Sequence, residues 1–339
     1  MDRHKYILLT TMCLVMIALP TSCSGYEQAD IIVDKFPICT EGTNHDSLAI
    51  SGNIVVWVDE RDGIYGIRGY DLVKKNEFPI CSKLDYLAVG SNTVKISGDI
   101  VVWYNYSPTT SFDIWGYDLK TITQFPICTE EGVQLRPRIS GDIVLWQNER
   151  GDIFVYNLAT KDISTIPVSP HDYQHDVDIS GDIIVWIGFD GVYGYHIKDR
   201  KKFPISIGYN KQDVCISENT VIWLDVSPTS PFWQEGRGGD IIAYDLAAQK
   251  EFRLPRTWAY VYSDAYNVAV SEDFVVWSCG GMNSIDVYGY DPITRVKFPI
   301  CVEDGFQTCV AADSNIVVWK DWRNYKSGIY GARISRRVE

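Results

Sequence analysis

The chain has 339 residues, is 46% hydrophobic and carries a formal charge of -13 at neutral pH. The apolar content is ample for a large core. The acidity argues against nucleic acid as a partner, because phosphate binding requires clustered Lys and Arg.

The first residues predict an export signal. Arg3 and Lys5 precede a short apolar run that ends in small residues before Cys23, which is the pattern of a secretory signal peptide over 1–23. A lipoprotein signal acylated at Cys23 and simple secretion both remain open. The apolar run is too short to span a bilayer comfortably and no second one follows, so we expect no transmembrane span in the mature chain. Residues 24–30 are a linker.

One motif dominates the rest of the chain. Ile-Ser-Gly-Asp-Ile-Val-Val-Trp, or a close variant, recurs with its tryptophan at Trp57, Trp103, Trp146, Trp186, Trp223, Trp277 and Trp319. A period of about 40–45 residues with several short strands per unit is typical of β-propeller blades. Gly-Asp and Asp-Gly turns between apolar runs predict antiparallel hairpins. The sequence therefore predicts an all-β, seven-bladed propeller of four-stranded antiparallel blades, occupying 31–339 as one domain.

The order of the strands predicts how the ring closes. Fourth strands begin at the phenylalanine of Phe-Pro-Ile or its equivalent, and the first of these, at Phe36, precedes any complete blade. The last blade stops after its third strand, Ile329 to Ile334. We therefore expect Ile31 to Ile38 to supply the outer strand of the last blade, so that no sheet edge stays open.

The cysteines indicate packing rather than a disulfide framework. Four of the nine follow Phe-Pro-Ile at the same repeat position (Cys39, Cys81, Cys128 and Cys301). Equivalent positions in different blades are too far apart for a bridge, so these cysteines are expected to be small buried residues. A bridge from Cys301 to Cys309 or Cys279 remains open.

Phe-Pro-Ile-Cys, Ile-Ser-Gly-Asp-Ile-Val-Val-Trp and Asp321-Trp322-Arg323-Asn324 together resemble the propeller repeat of exported bacterial and archaeal surface proteins, which is distantly similar to the TolB-type propeller. The resemblance covers about residues 31 to 335. It implies the fold and export, but that family has no common activity. Several blades depart from the Asp-x-Arg-Asn turn, so the resemblance assigns that turn no role.

Two unusual loops of adjacent blades carry many aromatic residues. In a propeller, the loops that enter the innermost strands and the loops that join the second and third strands lie on one face of the disc, here called the loop face. The two aromatic loops are of these kinds. Their aromatics are Phe232, Trp233, Trp258, Tyr260, Tyr262 and Tyr266. We consider these six a candidate stacking platform for sugar rings. The alternative is that they pack the long loops onto the disc.

The innermost strands carry opposed charges around the central channel. Blades 2 and 3 place Lys95, Arg136 and Arg138 there, whereas blades 4 and 5 place Asp176, Asp178 and Asp213. Such a channel mouth could orient an anionic or zwitterionic ligand, and the planar forks of the two arginines suit uronic acids. The alternative is a set of salt bridges between adjacent blades.

Other candidates give no catalytic or metal site. His171 and His175 lie in a segment that Ser169-Pro170 predicts to be a loop, and their spacing lacks a zinc pattern. We therefore predict no metal, no cofactor and no assigned catalytic residue. Gln134, Gln174 and Gln307 recur at one loop position, where we expect them to bond loop backbone.

These observations predict a monomeric, exported binding module in the periplasm, at the cell surface or secreted. Its expected partner is a carbohydrate or a protein of the cell envelope. The alternative is a polysaccharide lyase or glycoside hydrolase with its site at the channel mouth. An enzyme should show a deep pocket with convergent polar groups and a perturbed titratable residue, whereas a binding module should show an aromatic shelf.

Overall fold

The computed structural model describes residues 31–41, 44–85, 88, 93–166, 175–226, 239–259, 268–280, 284–323 and 326–337. These residues form β-strands and contain no α-helix. Accordingly, no helix in the described ranges is long and apolar enough to cross a membrane.

The strands fall into seven consecutive groups, which are the predicted blades. Blade 1 contains β2 (Asn44–Ser51), β3 (Ile54–Arg61), β4 (Ile64–Asp71) and β5 (Asn76–Leu84). Blade 2 contains β6 (Val94–Ser97), β7 (Ile100–Ser107), β8 (Ser111–Asp118) and β9 (Thr123–Cys128), followed by a short β10 (Gly132–Val133) parallel to β8. Blade 3 contains β11 (Leu135–Ser140), β12 (Ile143–Gln147), β13 (Ile153–Asn157) and β14 (Ile163–Thr165). Blade 4 contains β15 (His175–Ser180), β16 (Ile183–Gly188), β17 (Gly191–His196) and β18 (Lys201–Ile207).

The remaining blades follow the same antiparallel order. Blade 5 contains β19 (Lys211–Ser217), β20 (Thr220–Asp225), β21 (Gly239–Asp245) and β22 (Lys250–Ala259). Blade 6 contains β23 (Val268–Val270), β24 (Val275–Gly280), β25 (Ile285–Asp291) and β26 (Val296–Cys301). Blade 7 contains β27 (Phe306–Asp313), β28 (Ile316–Arg323) and β29 (Lys326–Arg336), and its fourth strand is β1 (Ile31–Cys39).

The ring is closed by β1. It pairs antiparallel with β29 from Ile31 opposite Arg336 to Cys39 opposite Ile329, one residue longer than the predicted strand. The innermost strands contact one another in chain order, β2, β6, β11, β15, β19, β23 and β27, and β27 contacts β2. The pairing of β1 with β29 and this ring of contacts are consistent with the predicted closure by the N-terminal strand.

The core lies between the blades. Each of seven apolar clusters in the described chain joins residues of two neighbouring blades. The seven motif tryptophans are all fully buried in these clusters, because the second strand is apolar on both faces and each blade is covered on both sides. Ile38 and Cys39 of β1 belong to the cluster between blades 7 and 1.

The Ile-Ser-Gly-Asp motif links most blades to the next. In most blades its serine Oγ accepts a hydrogen bond from the backbone N–H at the matching turn of the following blade, which satisfies a turn donor that strand pairing leaves unpaired. The pairs are Ser51 with Gly98, Ser97 with Gly141, Ser140 with Gly181 and Ser180 with Glu218, at 2.9–3.0 Å. Asp313 takes the serine position in blade 7 and accepts from the Gly52 N–H at 2.6 Å.

The described cysteines are free thiols. Of the four cysteines expected to be buried, Cys39, Cys128 and Cys301 are buried, whereas Cys81 is partly exposed. Cys279 and Cys309 are buried as well. The bridge from Cys301 to Cys309 or Cys279 that the sequence left open is not formed.

Candidate functional site: the central channel and the loop face

The inner strands enclose a central cavity of about 220 Å³. Each Ile-Ser-Gly-Asp motif begins with an apolar residue, the isoleucine or its equivalent, here called the anchor. The cavity is lined by the residue one place before each anchor, which is Ala49, Lys95, Arg138, Asp178, Cys215, Ala269 and Ala311 in chain order. The charged side chains therefore come from three consecutive blades, while the other blades contribute small residues. Charged side chains therefore line one side of the channel, and small side chains line the other.

Arg138 and Asp178 form a contact between blades 3 and 4. The Arg138 Nε lies 3.6 Å from Asp178 Oδ1, and Asp178 Oδ2 accepts a hydrogen bond from the Ile216 N–H of blade 5 at 3.0 Å. Burial raises the pKa of the Asp178 carboxyl, although the Arg138 charge opposes the shift. This is the salt bridge between adjacent blades that the sequence offered as the alternative to a ligand site.

Lys95 lies beside this pair with an altered acidity. Burial, reinforced by the positive charge of Arg138, lowers the pKa of the Lys95 ammonium to about 8. A lysine with such a pKa is partly neutral near physiological pH, so it can act as a proton acceptor as well as a cation. The channel thus brings together Lys95 and Arg138 as predicted.

Arg136 lies apart from the channel cavity. It is exposed and has a left-handed backbone, with φ of 55°, and it does not line the cavity that contains Arg138. The reason is a β-bulge three residues before the anchor, which recurs with positive φ at Ser47, Arg136, Asp176, Asp213 and Cys309. The alternation assumed from sequence is interrupted there, so Arg136 and Arg138 do not share one site.

The predicted aromatic platform lies largely outside the described residues. Phe232, Trp233, Tyr260, Tyr262 and Tyr266 are not in the described ranges. Trp258 belongs to β22, with its backbone opposite Asp240 of β21. The platform therefore stays a prediction.

Another aromatic pair on the loop face was missed by the sequence analysis. Phe189, in the turn between the second and third strands of blade 4, is 68% exposed, and Tyr209, in the loop into blade 5, is 59% exposed. Their ring centroids are 5.4 Å apart in an edge-to-face arrangement, and Ile207 beside them is also exposed. Phe189 lies in a loop that joins a second and a third strand, and Tyr209 lies in a loop that enters an innermost strand. Their position in these two loop types is the sequence feature that could have identified them.

Blade 7 carries a second exposed group on this face. Phe306 at the start of β27 pairs across the sheet with Trp322 near the end of β28. Both rings are partly exposed, as is Val302 in the preceding loop. Apolar side chains thus recur on the loop face at separate places around the ring.

A buried group between blades 1 and 7 contains a cysteine, a histidine and an aspartate, the residue types of a nucleophilic site. The pKa values of its thiol and imidazole are shifted in the wrong direction for such a site. His45 Nε2 lies 3.4 Å from Cys39 Sγ and 3.5 Å from Asp59 Oδ1, and His45 Nδ1 lies 3.0 Å from Ser327 Oγ. Burial raises the pKa of the Cys39 thiol to about 11 and lowers that of His45 to about 4. An activated thiol requires the opposite shift, so this group is structural.

The metal candidates give no site in the described chain. His171 lies outside the described residues, whereas His175 begins β15, an extended segment. Across the described ranges, no group of three or more His, Cys, Asp or Glu side chains is arranged to hold a metal ion.

No protein-family model and no curated protein matches this sequence. Solved β-propeller structures do match it. The propeller domain of the trilobed protease from Pyrococcus furiosus, described as having an open velcro topology, has a TM-score of 0.64 at 11% identity, over 88% of this chain and 97% of that one. Pyrococcus horikoshii acylaminoacyl peptidase has a TM-score of 0.63 at 11% identity, and this chain spans only 53% of its length. An oligogalacturonate lyase in complex with manganese has a TM-score of 0.60 at 9% identity, over 89% and 91% of the two chains. These likenesses show the fold: the chain is a β-propeller.

Proposed function

We propose that this propeller is an exported binding module of the cell envelope or extracellular space, and that it binds a carbohydrate on its loop face. The observation that carries the proposal is the exposed pair of Phe189 and Tyr209, with ring centroids 5.4 Å apart. Exposed aromatic rings mark interaction sites, and the apolar faces of sugar rings stack on them. The resemblance to exported surface repeats and the apolar segment before Cys23 support export.

Carbohydrate is favoured over protein by the size of the patch. Phe189, Ile207 and Tyr209 offer only a few side chains, whereas a standard protein interface buries about 1,200–2,000 Å² in total. One or two aromatic rings are enough for a sugar unit. Tyr209 also lies in the loop that enters blade 5, the blade whose predicted aromatic loop carries Phe232 and Trp233.

Retention of polysaccharides on the immobilised full chain tests the proposal. We expect one polymer from a panel of neutral and acidic polysaccharides to be retained. The double variant Phe189→Ala and Tyr209→Ala should weaken retention at least about tenfold, because each stacked ring contributes on the order of 1 kcal/mol. The matched control is Ile293→Ala, which removes a side chain 73% exposed in a turn of the opposite face. Retention of no polymer, or equal retention by the double variant, would contradict the proposal.

A polysaccharide lyase is the second candidate, favoured by Lys95 beside Arg138. Arg138 would neutralise a uronate carboxylate, and the neutral Lys95 amine would take the proton alpha to it. The electron pair of that C–H bond would form a C=C double bond as the glycosidic C–O bond breaks, and the leaving oxygen would gain its proton from water or from the Lys95 ammonium. The cavity of about 220 Å³ is below the roughly 300–1,000 Å³ of ordinary ligand pockets, which is why binding ranks first. Ultraviolet absorbance of an unsaturated product, lost in Lys95→Met, would reverse that ranking.

A further inference from the structure

Blade 7 has a second cavity, away from the channel and from Phe189. Its volume is about 740 Å³, within the range of ordinary ligand pockets. Lys35 and Phe36 of β1, Tyr330 of β29, Arg323 of β28 and Glu303 of the loop from blade 6 are among its lining residues. We call this cavity the blade 7 groove.

In blades 4 and 6 a lysine lies over the tyrosine that is equivalent to Tyr330. In blade 4 the Lys202 ammonium lies 4.1 Å from the centre of the Tyr193 ring, and in blade 6 Lys297 lies 4.2 Å from that of Tyr288. Lys35 is the equivalent lysine of blade 7, since each of these lysines directly precedes the Phe-Pro-Ile phenylalanine. Its Nζ lies 2.6 Å from Glu303 Oε1.

Blade 1 fills the same place in a different way. Arg68 of blade 1 is equivalent to Tyr330 of blade 7. Arg68 pairs across the sheet with Trp57, and Tyr330 pairs in the same way with Trp319. The Arg68 Nε lies 2.9 Å from Asp59 Oδ2. In blade 7, Lys35 is instead held by Glu303, and it is the Arg323 guanidinium that lies over the Tyr330 ring.

The charges around the blade 7 groove balance. Glu303 binds both Lys35 and Arg323, and the Arg323 Nε lies 2.7 Å from Asp321 Oδ1. Two cations therefore face two carboxylates. The ion pair with Lys35 lowers the pKa of Glu303 and raises that of Lys35, which keeps both groups charged at neutral pH. Asp304 borders an adjoining cavity of about 670 Å³ that shares Glu303 and Arg323, so added negative charge is disfavoured.

The floor of the blade 7 groove is aromatic. Tyr330 is stacked on the buried Trp319, with ring centroids 6.3 Å apart and planes at 20°, and the Arg323 guanidinium lies 5.0 Å from the centre of the Tyr330 ring. Fixed donors and acceptors above an aromatic surface match a ligand whose hydroxyls both donate and accept and whose carbon face is apolar.

We propose that the blade 7 groove binds an uncharged pyranose unit of a glycan, with its ring against the part of Tyr330 that lines the groove and its hydroxyls bonded to Glu303, Arg323 and Lys35. The inference rests on the proposed carbohydrate binding and adds a separate subsite with its own selectivity. Balanced charge selects a neutral sugar over a uronate, because a uronate carboxylate would meet Glu303 and Asp321.

Saturation-transfer NMR on the full chain tests this subsite. The probes are the methyl glycosides of glucose, galactose, mannose and N-acetylglucosamine, with methyl galacturonide as the charged counterpart. We expect transfer to at least one neutral glycoside and not to the uronide. Tyr330→Arg, which copies Arg68 of blade 1, should weaken binding at least about tenfold, and Lys35→Ala should weaken it several-fold. Lys120→Ala, which removes an exposed lysine paired with Asp99 on the opposite face, should change nothing.

The outcomes separate this inference from the proposed function. Transfer to no neutral glycoside, stronger transfer to the uronide, or transfer unchanged in Lys35→Ala would overturn the subsite. Loss of polysaccharide retention in the Phe189 and Tyr209 double variant, with glycoside binding intact, would show two separate sites. Lys35 is exposed, so its variant decides the question even if Tyr330→Arg does not fold.

Discussion

At the scale of single residues, one repeat position is occupied by glutamine in some blades and by His45 in blade 1. In each case that the structure describes, the side chain bonds a backbone carbonyl of the preceding loop. Gln134 Nε2 donates to the Glu130 carbonyl at 3.3 Å. The Gln307 amide, in the orientation that satisfies both its nitrogen and its oxygen, donates to the Glu303 carbonyl at 3.3 Å. His45 Nε2 lies 3.0 Å from the Glu41 carbonyl at the equivalent place. The loop-bonding role predicted for the glutamines is confirmed for these two, while Gln174 lies outside the described residues. The same role explains a buried histidine that resembles part of a catalytic group.

Lys95 predicts a pH dependence of stability. Burial, with Arg138 nearby, lowers its pKa to about 8 from 10.5, against weaker favourable effects of Asp178, Cys215 and Cys309. Because the folded-state pKa is the lower one, the unfolded chain binds more protons between the two values. The contribution of Lys95 to stability therefore rises as the pH increases through this interval. Below it, the buried ammonium destabilises the fold by at most about 3 kcal/mol.

Urea unfolding of the native chain and of Lys95→Met at neutral pH and near pH 10.5 measures this effect. We expect the variant to be more stable at neutral pH and its advantage to shrink as the pH rises. Other titrating groups are common to both proteins and cancel in the difference. A difference independent of pH would show that Lys95 is well solvated in the channel.

At the scale of the blade, the third strand carries Gly-Tyr-Asp in several blades. The role of its aspartate can be predicted from sequence, whereas the role of its glycine cannot. In blade 1 this strand ends in Gly69-Tyr70-Asp71, and aspartate is a residue that favours turns. Asp71 Oδ1 accepts hydrogen bonds from the N–H groups of Val73 and Lys74 at 2.9 Å. The role of the glycine was not predicted, because it depends on the neighbouring strand. In five blades the ring of the Phe-Pro-Ile phenylalanine lies directly over this glycine, in the pairs Gly69 with Phe78, Gly116 with Phe125, Gly194 with Phe203, Gly289 with Phe298 and Gly331 with Phe36.

Gly116→Ala should therefore destabilise blade 2. A methyl group there would lie 2.5 Å from Phe125 Cζ, so the ring must move, and overpacking of this kind costs about 1–3 kcal/mol. Blade 5 has Ala243 opposite Phe252, which shows that the methyl group is accepted where the ring lies elsewhere. Phe125→Leu on the alanine background should recover part of the loss in urea unfolding. An alanine variant as stable as the native chain would mean that Phe125 is free to swing aside.

At the scale of the whole molecule, the regular sequence repeat made the fold predictable. It did not predict most features of the candidate sites. The motif positions predicted the blades, the inner-strand charges and the closing strand, since each follows from a repeated local pattern. The separation of Arg136 from Arg138 depends on a bulge that the alternation of residues does not reveal. The opening of the blade 7 groove depends on Glu303, which is contributed by the neighbouring blade, so no single repeat contains it.

Closure by β1 makes the stability of the whole ring depend on one strand. Without residues 31–39, β29 would present an unpaired edge, and Ile38 and Cys39 would be lost from the core between blades 7 and 1. Removing several buried side chains costs at least about 3 kcal/mol, and an open edge favours pairing between molecules. A chain beginning at residue 40 should thus unfold at lower urea than one beginning at residue 31 and should associate in size-exclusion chromatography. A synthetic peptide of residues 31–39 should reverse both effects by occupying the empty edge. Equal urea midpoints for the two chains would mean that blade 7 is stable with three strands and that the ring is held by its blade interfaces alone.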